Sequence, residues 1–158
     1  MSSRKSLYCF DTSSYIRAWH EAYPPDVVET FWERLDDAIS EGIVISPDEV
    51  LQEMKKRSED LHRWLKARDS CIVEIDDPLQ QAVTKLLAAN PEMAKNRKGA
   101  SSADAWVIGL AHIRGAIVVS EETIVDSEKK PKIPGVCKRE NIPCMKLLEF
   151  MRTQKWKI

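Results

Sequence analysis

No apolar stretch of this chain approaches the ~20 residues that a membrane-spanning helix requires. The first residues, Met1 to Ser6, are polar and run straight into an apolar segment. No secretory leader is therefore expected; the expected compartment is the cytoplasm, with no membrane partner. The four cysteines (Cys9, Cys71, Cys137 and Cys144) include no C-x-x-C pair. Idle, reduced thiols are the expectation, with a disulfide or zinc left open only for Cys137 and Cys144. The histidines His20, His62 and His112 match neither a triad nor a metal-pair spacing, so structural or surface roles are expected for them. An excess of one charge is also missing. The formal net charge is −1, which removes the global basic field of a protein that coats DNA but not an enzyme with a local basic groove.

Internal repeats, low-complexity tracts and linkers are absent too, so residues 1–158 are read as a single domain, long enough for a real core. Apolar runs alternate with helical periodicity. Leu7 to Phe10, Ile43 to Ile45, Cys71 to Ile75, Ala116 to Val119 and a last short segment near Ile142 to Met145 read as strands. Between them, Val27, Val28, Phe31, Trp32, Leu35, Ala38 and Ile39 fall at helical spacing, and helices are also expected from Thr12 to about Glu21, from Pro47, through Leu61 and Leu65, over Leu79 to Ala89 and over Ala103 to Arg114. Residues 90–102 and 120–140 are expected to be loops, the first basic and the second charged with Pro131 and Pro134. Short strands apolar on both faces, alternating with helices, define the α/β class: a three-layer α/β/α sandwich with a parallel, doubly wound sheet of about four to five strands.

Four acidic positions fall at the ends of strands or the beginnings of helices. Asp11 closes the first apolar run, where it serves either as a crevice carboxylate or as a turn-forming cap. Glu53 sits beside Val50 at the margin of the Val50-Leu51-Met54 stripe; a solvated surface glutamate is the bland alternative. Asp104 lies in the first turn of its helix, where the macrodipole favours a carboxylate, but it shares a face with Ile108 and Ala111 and so is expected to point inward. Glu121 and Glu122 follow the fourth strand, and since neighbouring residues at a strand end diverge, only one is expected to face the site; Asp126 is a weaker candidate. In a parallel sheet all these places lie at the carboxyl edge, where such folds build their sites. Carboxylates gathered there repel one another unless a hard divalent cation holds them.

The segments Phe10-Asp11-Thr12-Ser13, Ser46-Pro47-Asp48-Glu49-Val50-Leu51-Gln52-Glu53-Met54, Ser102-Ala103-Asp104-Ala105-Trp106 and Val118-Val119-Ser120-Glu121-Glu122, in that order, resemble a PIN domain. This is the ribonuclease fold of VapC-like toxins of bacterial toxin–antitoxin pairs. The segment Lys132 to Cys137, with Trp19 and Phe31-Trp32, further resembles a less-studied PIN-like toxin subfamily. The resemblance implies that Asp11, Glu53 and Asp104 are catalytic metal ligands. Counting from Ser120 it puts the fourth acid on Glu122, with Glu121 as the alternative, and it places a hydroxyl that orients Asp11 on Ser13, with Ser120 as a second supporting hydroxyl. It further implies Mg²⁺ or Mn²⁺ as cofactor, an RNA substrate, a cognate antitoxin over the acidic groove, and a homodimer.

The chemistry so implied is metal-assisted hydrolysis of an RNA phosphodiester by one or two ions. Positive charge for RNA is expected from Lys95, Arg97 and Lys98, just upstream of Asp104, and from the run Lys55-Lys56-Arg57. Trp32, Trp64 and Trp156 are read as core rather than interface anchors. Two rivals stand beside this reading: a PIN-like module that binds RNA or protein without cutting, and a doubly wound phosphoryl-transfer protein. The latter is disfavoured because Asp11-Thr12-Ser13 lacks the Asp-x-Asp of such phosphatases.

Overall fold

The computed structural model describes residues 5–95, 103–123 and 131–158. Its centre is a five-stranded, all-parallel sheet in the order β3-β2-β1-β4-β5, with β1 Tyr8–Phe10, β2 Val44–Pro47, β3 Ile72–Val73, β4 Ile117–Val119 and β5 Cys144–Met145. The chain winds outward through β2 and β3 on one side of β1, then crosses to β4 and β5 on the other. The strand order therefore reverses between β1 and β4, and the carboxyl ends there leave the crevice in which doubly wound folds bind ligands. Cα register pairs Phe10 with Val119, so Asp11 and Ser120, the next residue of each chain segment, leave the sheet side by side.

Pleating decides which helix covers which face. Tyr8 and Phe10 project together, and both meet Phe150 edge-on, at ring-centroid distances of 4.8 and 4.9 Å. Phe150 belongs to helix α9, Leu147–Thr153; Phe10 also meets Tyr15 of α1, Thr12–Arg17, and Trp156 links Phe150 to Phe31 of α2, Glu29–Ser40. Cys9 projects the other way, its thiol donating to the Val107 carbonyl at 3.6 Å on α7, Asp104–Arg114. Helix α7 packs in turn on α5, Asp77–Ala89, so closely that a Cβ on Gly109 would stand 2.9 Å from Val83 Cγ2. The result is the three-layer α/β/α sandwich expected from the pattern.

Helices α3 (Asp48–Arg57) and α4 (Glu59–Lys66) follow β2. Trp32, Trp64 and Trp19 pack edge-to-face or tilted against one another, with the Arg68 guanidinium 4.0 Å over Trp64. These rings and Trp156 belong to the core or pack on it, as the reading of the tryptophans anticipated. All four cysteines are free thiols. No helix among the described residues is long and apolar enough to cross a membrane.

Several local expectations are corrected. The first helix widens into a π-helical turn over Ala18–Ala22, sealed by the Tyr23 N–H on the Ala18 carbonyl. Val27 is not on the buried stripe: it is 75% exposed, because Pro24 to Val28 form a turn and α2 begins only at Glu29. Two expected loops contain helices, α6 (Pro91–Lys95) and α8 (Ile133–Arg139). Pro134 does not prevent α8, because in the first turn of a helix the missing N–H has no partner to lose. The helix ends with Asn141 at φ 56°, the Ile142 N–H on the Cys137 carbonyl and the Asn141 N–H on the Lys138 carbonyl, which together reverse the chain into β5.

Candidate active site

Asp11 stands at the mouth of the switch point and is only 1% exposed. Its position is fixed from below by backbone: its N–H donates to the Val119 carbonyl at 3.0 Å, and its own carbonyl accepts the Ser14 N–H at 3.1 Å. One carboxylate oxygen, Oδ2, accepts from the Ser13 hydroxyl at 2.6 Å and from the Ser120 hydroxyl at 3.0 Å. These two hydroxyls are themselves anchored, Ser13 Oγ accepting the Glu121 N–H at 3.0 Å and Ser120 Oγ the Glu122 N–H at 3.2 Å. The loop after β4 is thus tied to the start of α1 through the acid they share.

A second network lies beneath. The Ser46 hydroxyl, at the end of β2, donates to the Phe10 carbonyl at 2.8 Å and bonds the Tyr15 hydroxyl at 2.8 Å. Burial pushes the Tyr15 phenol well up, so it stays neutral and can serve as a donor. Tyr15 and Ser46 are supports the sequence reading missed. The available signal was a serine closing a strand at the same edge as Asp11, with a tyrosine one helical turn beyond that acid. Thr12 Oγ1, next to Asp11, is buried and lacks a hydrogen-bond partner among the described residues.

The electrostatics of Asp11 are unbalanced. Burial first, then the charge of Glu122, and more weakly that of Glu53, push its carboxyl from the usual 3.8 up to about 6, although the Ser13 and Ser120 hydroxyls pull the other way. Among the described residues no cation offsets the charges that this buried carboxylate faces. The donor set, all carboxylate and hydroxyl oxygen, suits a hard divalent cation.

The other acids take distinct places. Asp104 opens α7 and is buried at 9% exposure. The Cys9 thiol's bond to Val107, on the same first turns, sets that end of α7 over the end of β1. Glu53 lies on α3 with its side chain 11% exposed and Arg57 Nη1 3.4 Å from its Oε1. Glu121 and Glu122 splay apart, as adjacent residues at a strand end must. Glu121 Oε1 accepts the Leu147 N–H at the start of α9 at 2.8 Å, and its Oε2 lies 3.5 Å from Arg17 Nη1. Glu122 Oε2 accepts the Ile133 N–H at the start of α8 at 2.7 Å, and Glu122 is the acid whose charge reaches Asp11 most strongly.

Asp11 thus feels the charges of Glu122 and Glu53, whereas Glu121 is turned to α9 and Arg17. Among the described residues no three His, Cys, Asp or Glu side chains converge tightly enough to hold an ion as they stand. The chemistry of the donors fits a cation; holding one directly requires the carboxylates to close in. Of the expected RNA-binding residues, Arg97 and Lys98 lie outside the described residues, as does Asp126; Lys95 closes α6. His20 bonds the Ser58 hydroxyl at 2.9 Å, away from the acids, in keeping with a structural role.

The chain belongs to the DUF4411 family, a domain of unknown function, whose model matches residues 8–158. No curated protein matches it by sequence. Among solved structures it is similar to a chain of DNA-bound VapBC from Salmonella typhimurium, with TM-score 0.54 and 19% identity, covering 90% of this chain and 98% of that one. It is similar too to a chain of VapBC2 from Rickettsia felis bound to a DNA fragment from their promoter, with TM-score 0.56 and 14% identity over 89% and 98% of the two chains. A third likeness is to FitAcB from Neisseria gonorrhoeae, with TM-score 0.50 and 13% identity over 88% and 96%. At these identities the likeness is one of fold, shared with chains of VapBC and FitAcB and in keeping with the PIN-domain resemblance of the sequence.

Proposed function

We propose that this chain is a divalent-metal-dependent endoribonuclease and the toxin of a toxin–antitoxin pair, acting in the cytoplasm. One observation carries the reading: Asp11, buried where the strand order reverses, is pressed by the charges of Glu122 and Glu53, with no compensating cation beside it among the described residues. Such an arrangement costs stability, and sites that spend stability on clustered charge are characteristically functional. Asp11, Glu53, Asp104 and Glu122 are the proposed holders of Mg²⁺ or Mn²⁺. When bound, the ion supplies a water of lowered pKa and polarises the phosphoryl oxygen.

The chain's own residues do the rest. Ser13 and Ser120 fix the Asp11 carboxylate through Oδ2, so that its direction is set before any substrate arrives. Tyr15 and Ser46 hold the Phe10 carbonyl and with it the backbone that carries Asp11. The likeness to VapBC and FitAcB chains supports a protein partner in the role of antitoxin, and a homodimer is proposed with it.

A second reading has its own support. Glu122 and Glu121 accept the first N–H groups of α8 and α9, and Glu53 pairs with Arg57, so these acids also have structural work. That favours a PIN-like module which binds RNA or protein without cutting. Incubating the purified chain with a structured RNA in EDTA, Mg²⁺ or Mn²⁺ separates the two. Fragments that appear only with the metals are expected; intact RNA under all three conditions contradicts the nuclease.

A further inference from the structure

An acidic crevice repels the polyanion it is proposed to cut, so the approach of RNA needs cations at the crevice rim. Two arginines meet that requirement, on separate helices. Arg17 ends α1, and its Nη1 reaches the loop after β4, 3.5 Å from Glu121 Oε2. Arg57 ends α3, with its Nη1 3.4 Å from Glu53 Oε1. In both pairs the acid is nearly covered, 12% and 11% exposed, whereas the arginine is half open, at 53% and 51%.

These contacts are long and single-pronged. A guanidinium offers five N–H donors in a planar fork and binds a carboxylate best through two parallel bonds at ~2.7–2.9 Å. Neither arginine makes such a bidentate bond: Arg17 has only a further, longer contact, its Nε 3.9 Å from Glu21 Oε2, and both side chains stay half exposed. Ion pairs of this exposure contribute little to folding, so stability alone does not account for them. Arg63, by contrast, pairs with Glu59 and Asp60, both at least three-quarters exposed on α4 and unrelated to the crevice.

We propose that Arg17 and Arg57 form a clamp for the RNA backbone, each holding a phosphate beside the scissile one. Glu121 and Glu53 park the two guanidinium groups at the rim until phosphate oxygens, which accept two parallel bonds, replace the single carboxylate contact. The clamp rests on the ribonuclease reading above for the identity of its ligand, though not for the presence of an anion site. Arg17 lies only six residues beyond Asp11, which ties one arm of the clamp to the acid at its centre.

The test is binding of a labelled single-stranded oligoribonucleotide across a salt series, in EDTA so that the strand stays intact. Arg17→Ala and Arg57→Ala should each weaken binding about tenfold at low salt. Each should also lower the slope of log K against log salt by about 0.7, the value for one phosphate contact on a single strand. Arg17→Lys and Arg57→Lys should keep most of the slope, since charge is retained, and Arg63→Ala should change neither quantity. Circular dichroism checks that the variants are folded. An unchanged slope and affinity in the double alanine variant, with wild-type chain that cuts RNA in Mn²⁺, overturns the clamp and leaves the nuclease standing. Wild-type binding without cleavage, with slopes lost as stated, supports the clamp and removes the nuclease. Absence of RNA binding by the wild type overturns both.

Discussion

Asp11→Asn should abolish RNA cleavage, by about 10³-fold or more, while making the metal-free protein more stable. The two effects have one cause. In the proposed function the carboxylate is the central donor for the cation, and losing a ligand of that kind forfeits several kcal/mol of transition-state stabilisation at ~1.4 kcal/mol per tenfold in rate. Without the cation, the same carboxylate is a buried charge facing Glu122 and Glu53, held up to about 6 against an ordinary 3.8. That difference corresponds to about 3 kcal/mol of destabilisation when the group is ionised. An asparagine of the same shape removes the charge yet still accepts from the Ser13 and Ser120 hydroxyls, which rotate freely to suit it. At pH 7.5 in EDTA the melting temperature should therefore rise by several degrees, at about 2–4 °C per kcal/mol for a chain of this size. Cleavage retained by the variant, or a lower melting temperature, would show that Asp11 is a structural cap and not a site residue.

The second large effect is a pH dependence whose sign changes with metal. The folded-state value of Asp11 lies above its unfolded value, so the folded protein binds the proton more tightly. Its contribution to stability is fully present below the unfolded value and is lost as the pH rises through about 6. Between pH 7 and pH 5 in EDTA, urea unfolding of the wild type should therefore gain about 1 kcal/mol relative to Asp11→Asn, which lacks the titrating group. Saturating Mn²⁺ should reverse this: a cation on the carboxylate favours its charged form, and stability should then fall on going to pH 5. Parallel pH profiles for wild type and variant, with or without metal, would mean that the charge on Asp11 is already compensated within the protein.

Much of the site could be read from local chemistry. A carboxylate directly after four apolar residues, as in Leu7 to Asp11, announces a strand end. Asp104 combines a helix-start position with a core-facing register, and the structure buries it. Sequence neighbours carried that information. What could not be read depends on contacts between distant segments. Which partner Glu121 and Glu122 each take depends on α8 and α9, whose first N–H groups bond one of the two apiece. Helix α8 was read as loop because Pro131, Pro134 and a run of lysines carry loop chemistry, whereas its first N–H finds its acceptor on Glu122, eleven residues upstream. Arg17 carried no motif at all; its relation to the site exists only because β4 lies beside β1.

The claim on which everything else rests is that Asp11, Glu53, Asp104 and Glu122 close on one divalent cation. A crystal of the chain grown with Mn²⁺ and measured at the manganese absorption edge tests it without reference to activity. The account requires an anomalous peak bonded to an Asp11 carboxylate oxygen, with Glu122 drawn toward it and Asp104 or Glu53 completing the shell directly or through water. Full Mn²⁺ in the crystallisation solution with no peak beside Asp11, and Glu122 still on the Ile133 N–H, would contradict it.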